Sequence, residues 1–210
     1  MSRKCIFWDW NGTLLDDTLA ALKTLNTMLE KRGSSVISME FYRDNFAFPV
    51  KPFYERIGMV LKDELWDDVA KEYHDIYATM PRSLNQDAIA ALEKAKASAV
   101  EQYVVSALRQ DLLEDELTKR GIISYFASVR GVDNLDGAGK IPRAKELLAS
   151  LGNCRVVVIG DSLHDKEMAD AVGARCVLCS QGSHAHWRLE QVSQVAHTLV
   201  GAVDAALELM

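Results

Sequence analysis

Hydrophobic positions crowd together at the start of this chain and then spread to a helical period. Residues 4–9 carry the run Cys5-Ile6-Phe7-Trp8 and end on a single carboxylate, Asp9. A short continuous apolar run predicts a strand buried on both faces. From 16 to about 32 the spacing is helical, with Leu19, Leu22, Leu25, Met28 and Leu29 on one face. Further helices are expected over 38–47 and 51–62, broken by Pro49 and Pro52, and over 64–79, where Pro81 ends the pattern. No convincing strand interrupts this block. From residue 86 onward helices and strands alternate. Helices are expected over 86–99, 108–120, 142–151, 166–172 and 198–210. Strands are expected over 102–106, 125–129, 155–160 and 175–179, the third of them strongly β-branched (Arg155-Val156-Val157-Val158-Ile159-Gly160). Alternation of this kind implies a parallel sheet covered by helices on both faces. The predicted architecture is therefore α/β, a doubly wound parallel sheet built from 1–15 and 85–210, with a helical insert at 16–84.

Composition narrows the function classes. The chain has 210 residues, 49% hydrophobic and 26% charged, as in ordinary globular proteins. Its formal net charge is −6 and no basic stripe is present, which argues against nucleic acid as a partner. An acidic protein that binds phosphate needs a metal ion or a local Lys or Arg to offset repulsion. No apolar run approaches a membrane span, and Asp9 cuts the N-terminal run too short for a secretory signal. Cys176 and Cys179 form a C-x-x-C without a second pair, and on a strand they face opposite sides. Together with Cys5 and Cys154 they read as reduced thiols, which suits a cytoplasmic protein.

The candidate chemistry sits at the strand ends. A carboxylate at the C-terminal tip of a buried strand lies where an open α/β sheet binds its ligand, and burying it unpaired is costly. Four signals occur in order: Asp9-Trp10-Asn11-Gly12-Thr13, Ser106 at the end of Tyr103-Val104-Val105, Lys140 ahead of a helix, and Gly160-Asp161-Ser162-Leu163-His164-Asp165. Together they resemble the haloacid dehalogenase superfamily, whose first motif is D-x-D-G-T and whose last is G-D-x-x-x-D. The general likeness is to its phosphoglycolate phosphatase-like members. The resemblance implies a phosphatase of a small phosphorylated metabolite that works through an aspartyl-phosphate on Asp9. It implies Mg²⁺ held by the carboxylates of Asp9 and Asp161 and the main-chain carbonyl of Asn11. Ser106, Lys140 and the backbone amides around Gly12, Thr13 and Ala107 would bind the transferring phosphoryl group. Asp165 would order a metal-bound water or Lys140. The insert would be a cap that closes over the site, on a monomer or homodimer.

Asn11 departs from the family pattern. The residue there normally protonates the leaving group and then deprotonates water, and an amide can do neither. Three outcomes are open: a slow phosphatase that favours good leaving groups, transfer of the task to His164 or a cap residue, or binding without turnover. A carbon–phosphorus hydrolase is a further alternative, for which Lys51 or Lys62 would be the cap lysine. Plainer readings stand beside the others. Asp161 or Ser162 could be a helix cap, Ser106 could cap the helix after it, and Lys140 could be a solvated loop lysine. His164, His184 and His186 could be ordinary loop residues. The aromatic stretch 41–56, with Arg43, Lys51 and Arg56, could line a pocket or simply pack between helices.

Overall fold

The N-terminal apolar run becomes β1 (Arg3–Trp8), buried from Cys5 onward at the middle of a six-stranded sheet. A computed structural model describes residues 3–59, 65–134 and 139–210. After β1 the chain leaves the sheet through β2 (Leu15–Asp16) into four helices, α1 (Thr18–Lys31), α2 (Met39–Asn45), α3 (Val50–Arg56) and α4 (Trp66–Thr79). It returns through β3 (Ser83–Leu84), which pairs antiparallel with β2. The two passages between sheet and helical segment thus lie side by side. The helices have a core of their own, including Leu25, Met28, Tyr42, Phe53 and Val69. Pro52 does not break α3. It stands in the first turn, where its missing N–H has no intrahelical partner to lose. The part of the expected 51–62 helix that contains Lys62 lies outside the described residues.

The rest of the chain alternates as expected: α5 (Ala88–Ala97), β4 (Glu101–Arg109), α6 (Gln110–Lys119), β5 (Ser128–Val132), α7 (Lys140–Leu151), β6 (Cys154–Gly160), α8 (Leu163–Ala171), β7 (Arg175–Cys179), α9 (His186–Leu189), β8 (Gln194–Ala196) and α10 (Leu199–Glu208). The sheet order is β5-β4-β1-β6-β7-β8 with every pair parallel. The chain builds outward from β1 to β5, then crosses back and builds outward from β6. That reversal opens a crevice at the C-terminal ends of β1 and β6. Side chains alternate along β1: Ile6 and Trp8 pack with α5, α6 and α10, while Cys5 and Phe7 pack with α7, α8 and α9. Cys176 and Cys179 likewise fall into opposite cores, and all four cysteines are free. Among the described residues no helix is long and apolar enough to cross a membrane.

Several boundaries differ from expectation, α8 starting at Leu163 rather than at 166 among them. β4 continues past Ser106 to Arg109, because pairing with β5 shifts after Val105 and resumes at Arg109 opposite Val132. α6 accordingly starts at Gln110. The strand expected over 125–129 begins only at Ser128. Tyr125 closes a short 3₁₀ turn over Ile123–Tyr125, and its ring and that of Phe126 pack on the core from there. β8 was not expected; its three residues are too few for a periodicity to show.

Candidate active site

β1 and β6 bring two carboxylates together because their ends are held in register. The Asp9 N–H donates to the Ile159 carbonyl at 2.8 Å, which carries the pairing one residue beyond β1. Gly12 follows with φ +77°, and a Cβ there would collide with the Asp161 carboxylate. Only glycine suits both the left-handed backbone and that close approach. Thr13 Oγ1 lies 3.4 Å from Asp9 Oδ2 and 3.3 Å from Asp161 Oδ1. Asp161 Oδ2 accepts from the Ser183 N–H at 2.6 Å and the Ser183 hydroxyl at 2.5 Å. Asp161 is therefore not the cap of α8; Ser162 stands at that position. Asp165, in the first turn of α8, accepts through Oδ2 from the N–H groups of Asp161 and Ser162 and from the Ser162 hydroxyl.

Lys140 is the first residue of α7 and only 3% exposed, so the reading as a solvated loop lysine is excluded. Its ammonium donates to Asp165 Oδ1 at 2.6 Å and to Asp9 Oδ1. Oxygens of Asp9, Asp161 and Asp165 lie within 4.8 Å of one another. Burial, and next the Asp165 charge, hold the Asp9 carboxyl well above the usual range, with Lys140 opposing. Burial and the same neighbour push Asp161 up to about 6. For Asp165 the cost of burial is outweighed by the Lys140 ammonium and by hydrogen bonds, and its carboxyl falls below the usual range. Lys140 moves upward, as the carboxylates of Asp165 and Asp9 outweigh its own desolvation. One ammonium thus serves two buried carboxylates with a third, Asp161, alongside, a cluster that favours a further cation.

Ser106 is buried at the shift between β4 and β5, and its Oγ accepts from the Leu108 N–H at 3.0 Å. It does not cap α6, which starts four residues later. The side chain of Asn11 turns toward residues that drew no attention in the sequence. Its Nδ2 donates to Asp17 Oδ2 at 2.8 Å and lies 3.0 Å from Tyr77 Oη. Asp17 also accepts from the Gly12 N–H at 2.6 Å and from the Tyr77 hydroxyl. Burial raises its carboxyl, against those three donors. Asp17 was not foreseen because a second acid at the entry to a helix reads as ordinary. Ser183 was not foreseen because nothing in a loop after a strand marks it.

A cavity of about 150 Å³ opens between the strand ends and the helical segment. Asp9, Asn11, Gly12, Ser106, Ala107, Lys140 and Asp161 all line it. From the stretch 41–56 the aromatics Tyr42, Phe46, Phe48 and Tyr54 line the wall, whereas Phe41, Phe53 and the cations Arg43, Lys51 and Arg56 do not. Arg43 instead donates to the carbonyls of Gly182 and Gln181, and Lys51 is exposed with its ammonium 5.9 Å from the Trp66 ring centre. His164 lines the cavity stacked on Phe48, with ring centres 4.7 Å apart. Burial and Lys140 push it down to about 4, so it is neutral near pH 7. His184 Nδ1 accepts from the Leu163 N–H at 3.1 Å and so supports the start of α8. His186 is half exposed and pairs with Glu190.

Comparison with known proteins adds to this geometry. None of the curated proteins matches the chain. Solved structures resemble it along its whole length. A predicted phosphatase from Clostridium acetobutylicum is 17% identical with a TM-score of 0.83, covering 100% of both chains. A predicted phosphoglycolate phosphatase from Haemophilus somnus is 18% identical with a TM-score of 0.72, covering 98% of each. Protein Tyrosine Kinase A from Mycobacterium tuberculosis is 21% identical with a TM-score of 0.80, again covering 98% of each. At such identities the likeness is one of fold. The family model of haloacid dehalogenase-like hydrolases, in contrast, matches residues 6–179, from β1 to the end of β7, and takes in Asp9, Ser106, Lys140 and Asp161. The chain belongs to that family of hydrolases.

Proposed function

We propose that this chain is a Mg²⁺-dependent hydrolase of small phosphate monoesters, with Asp9 as nucleophile. The observation that carries the reading is the buried Lys140 ammonium, bonded to Asp9 and Asp165 with Asp161 alongside. It is a fixed positive charge placed where a phosphoryl group would meet a carboxylate. The fold alone does not decide the reaction, since a protein named as a tyrosine kinase shares it.

The donor set fits Mg²⁺, which takes hard oxygen ligands. Both Asp165 oxygens are already engaged by Lys140 and the start of α8. That leaves Asp9, Asp161 and the Asn11 main-chain carbonyl to hold the ion. When bound, Mg²⁺ would offset the repulsion between Asp9 and the incoming phosphate. Lys140 holds Asp9 Oδ1, which leaves Oδ2 as the attacking atom. Asp9 takes the phosphoryl group, Ser106 and the Ala107 amide donate to its oxygens, and water then releases phosphate; the amides of Gly12 and Thr13, expected to share that task, are engaged by Asp17 and the Trp10 carbonyl. Residues 16–84 act as the cap over a core of 1–15 and 85–210, and exclude bulk water from the reaction.

Asn11 leaves this scheme without a proton carrier, so rates depend on how well the leaving group departs unaided. Asn11 also supports a second reading, binding of phosphate compounds without turnover. Of the two lysines the carbon–phosphorus alternative would use, Lys51 does not line the cavity, and Lys62 lies outside the described residues.

Hydrolysis of p-nitrophenyl phosphate is the test. Activity should require Mg²⁺ and disappear in Asp9→Ala. Undiminished turnover in excess EDTA, or in Asp9→Ala, would overturn the reading. Phosphonate binding with no turnover of any ester would leave only the second one.

A further inference from the structure

The wall facing the site is aromatic and carries almost no charge. Tyr42, Phe46, Phe48, Tyr54, Trp66 and Tyr73 of the helical segment line the cavity. Lys140 is the one Lys or Arg among the described lining residues, and both its carboxylate partners already hold it. The acid that reaches the cavity from the helix entry, Asp17, would repel an anionic substituent. Among the described lining residues a substrate carboxylate or second phosphate would find no Lys or Arg beyond the already engaged Lys140, only hydroxyls and the imidazoles of His74 and His164, and burying its charge there is costly. Thr18 lines the same space with a buried hydroxyl that has no hydrogen-bond partner, a neutral group suited to a neutral polar substituent. The cavity of about 150 Å³ also takes in the strand-end groups that would meet the phosphoryl, so it leaves room for no more than a single ring against the wall.

Chemistry points the same way independently. Without a proton donor at Asn11 the leaving oxygen departs as an anion. A phenol ionises near ~10, whereas an alcohol lies close to water at ~15.7.

We propose that the site selects aryl phosphates, with a single uncharged ring on the leaving oxygen seated against the aromatic wall. This rests on the phosphatase reading above and names its substrate class. Asp9 oxygen bonds to phosphorus as the ester P–O bond breaks, and both electrons of that bond leave on the phenolate. Water then cleaves the aspartyl phosphate to free the carboxylate and inorganic phosphate, and the proton released there is taken up by the phenolate.

Turnover and binding are measured separately. With Mg²⁺, phenyl phosphate should exceed phosphoglycolate and glycerol 3-phosphate in kcat/KM by about 100-fold or more. Benzyl phosphate, with the ring but an alkoxide leaving group, should match phenyl phosphate more closely in KM than in kcat. By calorimetry, benzylphosphonate should bind about tenfold or more tightly than phosphonoacetate. Phe48→Ala should shrink that ratio, and Phe48→Arg should reverse it by improving phosphonoacetate binding, a gain that misfolding cannot produce. Phosphoglycolate turned over as well as phenyl phosphate overturns the proposal and spares the phosphatase reading. Faster phenyl phosphate turnover without a ring preference in binding also overturns it, since a leaving-group effect alone explains that result. A ring preference in binding with no ester hydrolysed upholds the aromatic pocket and overturns the phosphatase reading. Absence of both overturns both.

Discussion

Asn11 is tied to Asp17 by the side chain that stands where the resemblance to the family's first motif leads one to expect a carboxylate. Its amide donates to a buried carboxylate that Gly12 and Tyr77 also serve, so the loop after β1 is held by one acceptor and three donors. Restoring an acid here does more than add a proton carrier. In Asn11→Asp two carboxyl groups would face each other across the present 2.8 Å contact. Carboxylates that close hold one proton between them, and a carboxyl that keeps its proton near neutral pH is what an alkyl ester lacks. The variant should therefore hydrolyse benzyl phosphate faster, by up to ~10²–10⁴-fold, with a smaller gain on phenyl phosphate. Steady-state rates on both esters decide it. A variant no faster on benzyl phosphate, with Mg²⁺ binding intact, would mean that proton transfer does not limit the wild type. Three of the four family-like signals were legible because each is a residue type at a strand or helix end; Ser106 read as a strand end but lies inside β4 at its register shift. Asp17, Tyr77 and Ser183 were not, since their roles arise only when loops far apart in sequence meet.

Between the elements, the connection of α2 to the loop before α9 decides how freely the helical segment moves. β2 and β3 form the only paired strands between it and the sheet among the described residues, and such a short ribbon can act as a hinge. A second attachment lies on the far side. Arg188 donates to the carbonyls of Arg43 at 2.8 Å and Phe46 at 2.9 Å, the Ala185 N–H to the Arg43 carbonyl at 3.1 Å, and Trp187 to Asp44 at 2.7 Å. Opening requires these bonds to break while the hinge stays paired. Arg188→Ala should raise hydrogen exchange in 39–48 and 181–188 and leave the central strands unchanged. It should also raise KM more than it lowers kcat, because Phe46 lines the cavity proposed to seat the substrate. Unchanged exchange in both segments would show that the attachment does not restrain the helical segment. The alternation of helix and strand from 86 onward was readable because buried parallel strands are apolar throughout. The extension of β4 through Leu108 and Arg109 was not readable, since a register shift leaves no mark in hydrophobicity. Nor was the turn at Ile123–Tyr125, whose aromatics resemble a strand until tertiary packing decides between them.

The whole molecule carries a net charge of −6 and still gathers Asp9, Asp161 and Asp165 around one lysine in its interior. That arrangement links stability, pH and metal. Asp161 is pushed by burial, and then by Asp165, up to about 6 in the folded chain, against about 3.9 when unfolded. A carboxyl whose folded value is raised favours the folded state most at low pH. The contribution is complete below the unfolded value and is lost as pH rises through the folded one. Without metal, Asp161 should therefore make the protein less stable as pH climbs from 5 to 7. Mg²⁺ needs the ionised carboxylate, so its binding should strengthen over the same interval and release a proton. The two effects act in the same direction on one measurable quantity, the difference in Tm between Mg²⁺-saturated and metal-free protein. Calorimetric scans at pH 5.0, 6.0 and 7.5 should show that difference widening with pH. In Asp161→Asn the difference should become small at every pH, and the metal-free variant should lose the Asp161 share of the decline, while Asp9 and Asp17, whose carboxyls burial also raises, keep theirs. A Tm difference that stays constant from pH 5.0 to 7.5 would mean that Asp161 neither titrates in this range nor holds the ion.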